Sequence, residues 1–220
     1  RKVSFTGEIG TGRHVAEAAA QTMKHVTLEL GGSDPMIVCD DADLEAAAAG
    51  AVAGRFYNCG QTCTAVKRLY VFSRVADRFR ALLTKKTEEI KVGNGMEAGV
   101  RMGPLNNAAG QERMRQVVEE IEGDGRVLTG GKVPQGKGFF FEPTVVTGLA
   151  PDALPLREEV FGPVLPVVEV EDLDEALHEA NSTKYGLGAS IWTSSLARAE
   201  RGCRDLEAGI VWVNQHLKIP

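Results

Sequence analysis

The feature that most constrains the fold of this chain is the alternation of short apolar runs with longer stretches whose apolar residues recur at helical spacing. This alternation predicts strand–helix–strand units, and therefore an α/β fold with a mixed, largely parallel sheet flanked by helices. The predicted strands are Val3–Phe5, Val26–Leu30, Pro35–Cys39, Arg68–Phe72, Arg126–Thr129, Phe139–Val146, Val164–Glu169, Leu187–Trp192 and Ile210–Asn214. The predicted helices are Arg13–Met23, Leu44–Arg55 (capped by Asp43), Val75–Glu88, Gln111–Glu122, Leu173–Asn181 and Leu196–Leu206, and Val92–Gly103 is predicted as a surface loop.

Length and charge narrow the class of protein. The chain has 220 residues, which is enough for one sizeable domain or a domain with part of another. A net charge of −5 and a pI near 5.5 argue against a nucleic-acid or anionic membrane partner, and no apolar run is as long as a membrane span. Neither end carries an initiating Met or a targeting signal, and both fall beside predicted strands, so we expect a fragment of a longer polypeptide.

The four cysteines are expected to be free thiols. A chain of this size with ordinary apolar content needs no disulfide staples. Cys59 and Cys63 stand close together, but no second ligand pair has a matching spacing and no histidine is near them. The cysteine pattern therefore does not predict a metal site.

The segment Phe56–Cys63 places a thiol after a bend that contains glycine. A nucleophilic cysteine needs its thiolate stabilised by positive charge or by backbone N–H groups. Gly60 permits a backbone turn that would aim such N–H groups at a reacting oxygen. Taken alone, the segment is also compatible with a structural thiol, which is the commoner role of a cysteine between a helix and a loop.

Glu29 stands between two leucines at the end of a predicted strand and directly before Gly31 and Gly32. A carboxylate with apolar neighbours can have a raised pKa and act as a general base near neutral pH. The alternative is a side chain that faces solvent from an edge strand. The pattern alone does not separate these two interpretations.

Two further segments suggest cofactor contacts. Around Gly7, glycines at a strand–helix junction would let backbone amides approach a phosphate, although the spacing is not the usual dinucleotide fingerprint and Glu8 would repel an anion. Around Glu159, a carboxylate could bind ribose hydroxyls while Phe161 packs beside the sugar. The alternative for the second segment is a charged loop anchored by a buried Phe161.

Taken together, these segments resemble the aldehyde dehydrogenase superfamily. Glu29 lies in a Leu-Glu-Leu-Gly-Gly signature, and Cys63 follows 34 positions later in a Phe-x-Asn-x-Gly-Gln-x-Cys signature, as in the family pattern. Further matches, in family order, are Glu158–Pro163, Asn181–Leu187 and Gly209–Asn214. Five ordered matches over nearly the whole chain make coincidence very improbable.

The resemblance implies an NAD- or NADP-dependent oxidation of an aldehyde to a carboxylic acid. In this interpretation Cys63 attacks the aldehyde carbon, forming a thiohemiacetal and then a thioester, and Glu29 activates the water that hydrolyses the thioester. The backbone N–H of Cys63 is expected to donate to the oxyanion. The residues expected to contact the cofactor are Gly7, Glu8, Leu30, Glu159 and Phe161.

The resemblance also implies that several functional segments of the family are not contained in this chain. Many relatives carry Ser where this chain has Glu8, and the family's second oxyanion donor, an Asn, lies upstream together with most of the cofactor-binding sheet. The family's C-terminal segment, which lines the substrate tunnel and adds an oligomerisation strand, is also absent. Residues 1–32 are therefore predicted to be the C-terminal tail of an NAD(P)-binding domain and residues 33–220 a truncated catalytic domain. The fragment alone is expected to be inactive, whereas the full-length protein is expected to be a cytoplasmic homodimer or homotetramer.

The resemblance leaves three alternatives. A CoA-acylating relative is disfavoured by Glu29, a thiol hydrolase lacks a marked histidine base, and a non-catalytic relative is disfavoured by the retention of Cys63 and Glu29. Cys59, one helical turn before Cys63, is expected to be a pocket-lining or structural thiol that could form a disulfide with Cys63 on oxidation. Asn58 is expected to be a structural hydrogen-bonding residue, and Asn214 a residue that holds the backbone of the site. The four histidines are expected in exposed or capping roles: His14, His25, His178 and His216.

Overall fold

The computed structural model describes residues 1–217, apart from the side chains of residues 122 and 124. Strands and helices alternate through this range, as the sequence pattern predicts. The strands are β1 (Lys2–Thr6), β2 (His25–Glu29), β3 (Asp34–Val38), β4 (Val66–Phe72), β5 (Arg126–Thr129), β6 (Thr144–Thr147), β7 (Val164–Val170), β8 (Gly188–Trp192) and β9 (Ile210–Val213). The α-helices are α1 (Ile9–Ala20), α2 (Leu44–Phe56), α3 (Ser73–Glu88), α4 (Ala108–Asp124), α5 (Leu154–Arg157), α6 (Leu173–Asn181) and α7 (Leu196–Asp205).

Seven of the strands form one sheet in the order β5-β6-β7-β4-β3-β8-β9. Every neighbouring pair is parallel except β5 and β6, which are antiparallel. The predicted α/β fold with a mixed, largely parallel sheet is confirmed. Strands β1 and β2 pair in parallel with each other in a separate sheet, and the division into residues 1–32 and 33–220 stays a prediction.

The sheet is buried on both faces, as parallel sheets between helices are. Along β3, Met36 and Val38 pack into the core beneath α2 and α3, whereas Ile37 and Cys39 pack into a second core with α6. This alternation follows from the pleat, which points successive side chains to opposite faces. All five residues of β3 are buried, so the strand reads as a continuous apolar run after Asp34.

Side-chain caps set where several helices begin. The predicted cap is confirmed, since Asp43 accepts a hydrogen bond from the Ala46 amide at 3.1 Å. Helix α1 begins at Ile9, before the predicted start at Arg13, because Glu8 caps it by accepting from the Gly10 amide. When the first turn of a helix has few apolar residues, apolar spacing does not show where the helix begins.

Other predicted elements differ in detail. The predicted strand Phe139–Val146 is wrong in its first half, and only Thr144–Thr147 is a strand. The half before it cannot join the ladder fully, because Pro143 has no amide donor and the Phe139 carbonyl accepts from Leu105 instead. The predicted loop Val92–Gly103 has no helix or strand, but Met102 is buried and bridges to Val92. The short helix α5 was not predicted.

The sheet topology gathers three loops at one edge. Strands β7, β4 and β3 are adjacent and parallel, so their amino-terminal ends lie at the same edge of the sheet. The segments immediately before these ends contain Gly31, Cys63 and Glu159. Among residues 1–217, no helix is long and apolar enough to cross a membrane.

Candidate active site

A cleft of about 410 Å³ opens at this amino-terminal edge, beside the end of the β1–β2 sheet. Its lining combines three carboxylates, one thiol and apolar groups. The residues that line it are Thr6, Gly7, Glu8, Glu29, Leu30, Gly31, Cys63, Glu159 and Phe161. The structure therefore brings together all seven residues that the sequence singled out for catalysis or cofactor contact, although their positions span most of the chain. Their individual roles stay predictions.

Cys63 is exposed at the end of a tightly turned segment. The turn depends on left-handed backbone at Asn58, Cys59 and Gly60, whose φ angles are 50°, 58° and 71°. Gly60 is needed there for a second reason, because a side chain at this position would collide with the Gly162 carbonyl. Asn58 and Gln61 each donate a side-chain hydrogen bond to the other's backbone oxygen, at 3.0 and 3.1 Å. The predicted structural role of Asn58 is confirmed.

The expected position of Cys59 is corrected by this turn. The sequence spacing placed it one helical turn before Cys63, but left-handed backbone at Cys59 rules out a continuous helix. Its thiol is buried in the main core, does not line the cleft, and has its pKa raised to about 12 by burial. It is a structural thiol. All four cysteines are free.

Glu29 ends β2 at the mouth of the cleft. Its backbone oxygen accepts a hydrogen bond from the Gly7 amide at 3.0 Å, which extends the pairing of β1 with β2 beyond Thr6. The Glu29 side chain is exposed and lines the same cleft as Cys63. The carboxylate therefore has access both to water and to the space in front of the thiol, and this position is compatible with a general base.

The loop before β7 carries Glu159 and Phe161 into the cleft. Glu159 Oε1 accepts a hydrogen bond from the Gly32 amide at 3.3 Å and lies 3.2 Å from Lys67 Nζ. Gly31 packs so closely on the Glu159 carboxylate that any side chain at position 31 would collide with it. Phe161 leaves 48% of its surface exposed, so the alternative of a buried anchor is wrong and the exposed face of the ring can pack on a ligand.

Lys67 is a residue of the site that the sequence interpretation missed. Its side chain is fully buried, and Nζ donates hydrogen bonds to the backbone oxygens of Thr62 at 2.8 Å and Cys63 at 2.7 Å. The pKa of Lys67 is lowered, first by burial and then by the nearby Arg55, whereas Glu159 and Asp34 oppose this shift. The sequence signal that could have identified Lys67 is a pair of adjacent cations directly before the apolar residues of a predicted strand.

Arg55 and Arg68 brace the same loops from inside the protein. Arg55 is fully buried and donates to the backbone oxygens of Val66 at 3.3 Å and Val160 at 2.9 Å, and also to that of Gly162. Arg68 donates to the backbone oxygens of Ser33 at 2.8 Å and Ala180 at 3.0 Å, among others. Buried carbonyls in the loops, at the start of β4 and in the last turn of α6 need donors, and these guanidinium groups supply them.

A buried acid and a buried histidine lie behind the cleft, and neither was predicted. Asp34 Oδ1 accepts from the Gly188 amide at 3.2 Å, and burial raises the pKa of Asp34 to about 7 despite opposing effects of Lys67 and Arg68. His216 was expected to be exposed or capping, but it is buried, with Nδ1 2.9 Å from Ser190 Oγ and Nε2 2.8 Å from the Thr64 oxygen. Burial lowers the pKa of His216 to about 4.

Asn214 holds a different part of the backbone from the one expected. Its side chain accepts from the Thr193 amide at 2.9 Å and donates to the Thr193 oxygen at 3.0 Å. Thr193 follows β8, at the carboxyl-terminal edge of the sheet and opposite to the cleft. Asn214 therefore ties the end of β9 to the end of β8 rather than holding the site.

The chemistry of the cleft suits one end of a nicotinamide dinucleotide. Glu8, Glu29 and Glu159 offer acceptors for the hydroxyl groups of a ribose, and Phe161 offers an apolar face. The start of α1 suits a pyrophosphate poorly, because the Glu8 carboxylate already occupies the Gly10 amide and the Gly7 amide already pairs with Glu29. The described residues thus fit the nicotinamide-ribose end, and the predicted phosphate contact near Gly7 is disfavoured.

Comparison with known proteins agrees with this interpretation. The model of the aldehyde dehydrogenase family matches residues 1–220. A betaine aldehyde dehydrogenase of Agrobacterium fabrum is 43% identical over 223 residues, which covers all of this chain and 45% of that protein. A betaine aldehyde dehydrogenase of Mesorhizobium japonicum is 44% identical, over 100% of this chain and 46% of the relative.

Solved structures match over nearly all of the chain. The structure of 3,6-anhydro-L-galactose dehydrogenase in complex with NADP superposes with a TM-score of 0.96 at 43% identity, covering 100% of this chain and 47% of that one. Betaine aldehyde dehydrogenase from Staphylococcus aureus in complex with NAD⁺ gives 0.94 at 35% identity, covering 99% and 44%. The chain spans slightly less than half the length of these relatives. Because the family model covers its whole length, the chain belongs to the aldehyde dehydrogenase family.

Proposed function

We propose that this chain forms the thiol-bearing part of a dehydrogenase that oxidises an aldehyde to a carboxylic acid with NAD or NADP. The observation that carries the proposal is the single cleft in which Cys63, Glu29, Glu159 and Phe161 meet. These residues come from three separate segments of the chain, so their meeting is a property of the fold. Because the chain spans 45% of its relatives' length, the activity is proposed for a full-length protein that contains it.

Cys63 is proposed as the nucleophile. Its thiolate adds to the aldehyde carbon, and the carbonyl oxygen takes up the negative charge of a thiohemiacetal. When bound, the nicotinamide ring supplies the acceptor for the hydride that leaves this carbon. The product on Cys63 is a thioester, which water hydrolyses in the next step. The exposure of Cys63 and its place at the end of a fixed turn support this role, because a nucleophile must be both reachable and aimed.

Glu29 is proposed as the base that completes the reaction. Its carboxylate takes a proton from water, and the resulting hydroxide equivalent attacks the thioester carbon. The carbon–sulfur bond then breaks, which releases the carboxylic acid and returns the Cys63 thiolate. The exposed Glu29 side chain at the mouth of the cleft supports this role, because the base must collect water and return its proton to solvent.

Glu159 and Phe161 are proposed to hold the nicotinamide-side ribose, and Leu30 to form part of the apolar wall beside it. Gly7 and Glu8, which line the same cleft, are proposed to contact the cofactor there. NAD and NADP both remain candidates, since the adenosine-ribose contacts are expected outside this chain. Among the aldehydes, betaine aldehyde is a candidate by similarity to the relatives at about 40% identity.

We extend the proposal to assembly and compartment. The full-length protein is proposed to be a homodimer or homotetramer, as the family resemblance implies. A cytoplasmic location is proposed because an exposed catalytic thiol must stay reduced, and all four cysteines are free. The 220-residue chain on its own is proposed to be inactive, because the second oxyanion donor and most cofactor contacts are expected elsewhere.

The proposal is tested on the full-length protein with a panel of aldehydes that includes betaine aldehyde, with NAD and with NADP. Cys63→Ala is expected to lower kcat by at least about 10³-fold, whereas Cys203→Ala, a matched change of another exposed thiol, should leave it unchanged. Glu29→Gln is expected to give a burst of reduced cofactor followed by turnover slower by about 10²-fold or more, with the acyl group on Cys63 visible by mass spectrometry.

Two results would overturn the proposal. Full activity of Cys63→Ala would exclude covalent catalysis by this thiol and favour a non-catalytic role for the cleft. Thioester release that depends on added coenzyme A rather than on water, with Glu29→Gln unaffected, would identify an acylating enzyme instead.

A further inference from the structure

We propose that Lys67 is a positioning residue that locks the Cys63 turn and the Glu159 carboxylate into one rigid unit. This inference rests on the proposed function, in which Cys63 is the nucleophile and Glu159 holds the cofactor. Lys67 lies at the start of β4, beneath the cleft rather than in its lining. It therefore acts through the two residues that it holds and does not touch the substrate.

The ammonium group of Lys67 has three acceptors within reach. Nζ lies 2.8 Å from the Thr62 oxygen, 2.7 Å from the Cys63 oxygen and 3.2 Å from Glu159 Oε1. An ammonium carries three N–H donors and no acceptor, so these partners use its full capacity. One atom thus fixes the peptide planes on either side of the nucleophile and, at the same time, one oxygen of the cofactor-side carboxylate.

Packing alone does not explain a cation at this position. The Lys67 side chain is fully buried, and removing an ammonium from water is costly unless it is paired and hydrogen-bonded. An apolar side chain of similar length would fill the same space without that cost. What an apolar side chain would lose is the three hydrogen bonds, so the function of Lys67 lies in the groups that it holds.

The second partner of Glu159 supports a fixed carboxylate. The Gly32 amide donates to the same oxygen, Oε1, at 3.3 Å. Gly32 belongs to the loop between Glu29 and β3, so the Glu159 carboxylate links the loop of the general base to the turn of the nucleophile through Lys67. Lys67 therefore touches two of the three loops at this edge and reaches the third through Glu159.

The first test uses hydrogen exchange on the full-length protein without bound cofactor and does not depend on catalysis. Lys67→Met is expected to raise exchange of amides in residues 30–34 and 60–66 by about tenfold or more, because hydrogen bonds to a charged group are lost locally. Exchange in α6, which lies on the other face of the sheet, should not change. Lys67→Arg should keep most of the protection, since it retains a cation and several donors.

Matched variants separate a local role from general stability. Glu159→Gln breaks the same ion pair from its partly exposed end and serves if Lys67→Met folds poorly. Lys184→Met breaks the exposed pair with the neighbouring Glu158, where Nζ and Oε2 are 2.8 Å apart, and should not alter exchange near Cys63. Unchanged exchange in residues 60–66 of Lys67→Met, or equally faster exchange in every segment, would overturn the inference.

The second test measures the dissociation constant of NAD or NADP on the full-length protein in a double-mutant cycle. Lys67→Met and Glu159→Gln are each expected to weaken binding by about tenfold, and the double variant by no more than Glu159→Gln alone, because Lys67 acts on the cofactor through Glu159. Additive losses would overturn the coupling. If the wild-type protein binds neither dinucleotide, the proposed function fails, whereas the hydrogen-exchange result still decides whether Lys67 holds the two loops.

Discussion

At the amino-terminal edge of the sheet, the side chains of Asp34, Lys67 and Arg68 are almost completely buried, whereas Arg198 at the carboxyl-terminal edge is 34% exposed. The buried cations donate mainly to backbone oxygens of loops, and Arg198 instead pairs with the carboxylates of Asp40 at 2.6 Å and Asp41 at 3.0 Å. Both edges join loops that follow or precede parallel strands. At the amino-terminal edge, the burial of these charged groups makes their interactions expensive to lose.

The difference indicates at which edge of the sheet charged groups must be closely matched by their hydrogen-bond partners. A buried cation that serves loop carbonyls must be matched by its acceptors, because an unpaired buried charge is strongly destabilising. A partly exposed ion pair can be exchanged for water with little change in free energy. We therefore expect the cleft edge to be rigid, so that loss of a buried charge there is costly, and the opposite edge to tolerate substitution of its charged residues. The following measurements test this contrast from the largest expected effect to the smallest.

The two edges should differ most in thiol reactivity. Cys39 lies at the carboxyl end of β3, where burial raises its pKa to about 12, whereas Cys63 is exposed at the other edge. A rise from the ordinary thiol pKa of 9.0 lowers the thiolate fraction of Cys39 about 10³-fold at neutral pH. Alkylation by iodoacetamide, followed by peptide mass spectrometry, should modify Cys63 and Cys203 at least that much faster. Rates within tenfold of each other would contradict the contrast.

Loss of a buried cation should be the largest change in stability. Arg68→Met would leave the buried oxygens of Ser33 and Ala180 without their donor, and we expect the free energy of unfolding to fall by about 3–5 kcal/mol. Chemical denaturation of the 220-residue chain measures this change. A loss below about 1 kcal/mol would show that water or rearranged donors replace the guanidinium, and the edge would not be rigid in the sense proposed.

The buried pair of Asp34 and His216 should make stability depend on pH in opposite directions. Asp34 has a folded pKa of about 7 against 3.8, so its stabilising contribution is present below pH 3.8 and is lost as the pH rises through 7. His216 has a folded pKa of about 4 against 6.5, so its contribution is present above pH 6.5 and is lost as the pH falls through 4. Between these limits the two slopes largely cancel.

Single substitutions should uncover each slope. In Asp34→Asn the free energy of unfolding should rise with pH from about 4 to 6.5, and in His216→Gln it should fall from about 4 to 7, each by up to about 1.4 kcal/mol per pH unit. Denaturation at several pH values measures both. Parallel pH profiles in the two variants would refute the assigned protonation states.

The smallest effect is expected at the tolerant edge. Arg198→Met removes the ion pairs with Asp40 and Asp41, and we expect a loss below about 1 kcal/mol that shrinks further in high salt, because the pairs are partly exposed and screened. The same denaturation assay serves as the counterpart of the Arg68 measurement. A cost equal to that of Arg68→Met would remove the distinction between the edges.

The fold class, and the segments that supply the seven residues of the cleft, could be identified from the sequence because their signals are local. Alternating apolar runs predict an α/β sheet, and the signatures around Glu29 and Cys63 are continuous stretches of sequence. Sheet order and the meeting of the segments could not be read from these signals, because they depend on which strands pair. The boundary of α1 was misplaced for a related reason, since its first turn is capped by a charged residue rather than marked by apolar spacing.

The buried polar residues were missed because an interpretation based on sequence patterns assigns charged residues to the solvent-exposed surface. Lys67 lies inside β4, but the predicted strand began at Arg68, after the first cation. Asp34 and His216 likewise gave no periodic signal, and His216 was wrongly assigned to the surface. Each of these side chains also has a polar partner from a distant segment, namely Glu159 for Lys67, Gly188 for Asp34 and Thr64 for His216, and no window along the sequence contains both partners.

The hydrogen bond between Gly32 and Glu159 has a consequence for how the chain folds. It joins positions that are 127 residues apart, so it can form only after β3, β4 and β7 have docked. Closing so long a loop early would carry an entropic penalty with few contacts to offset it. We therefore expect secondary structure and the sheet to appear first during refolding and the cleft last, which leaves the Cys63 thiol without its neighbours in the final intermediate.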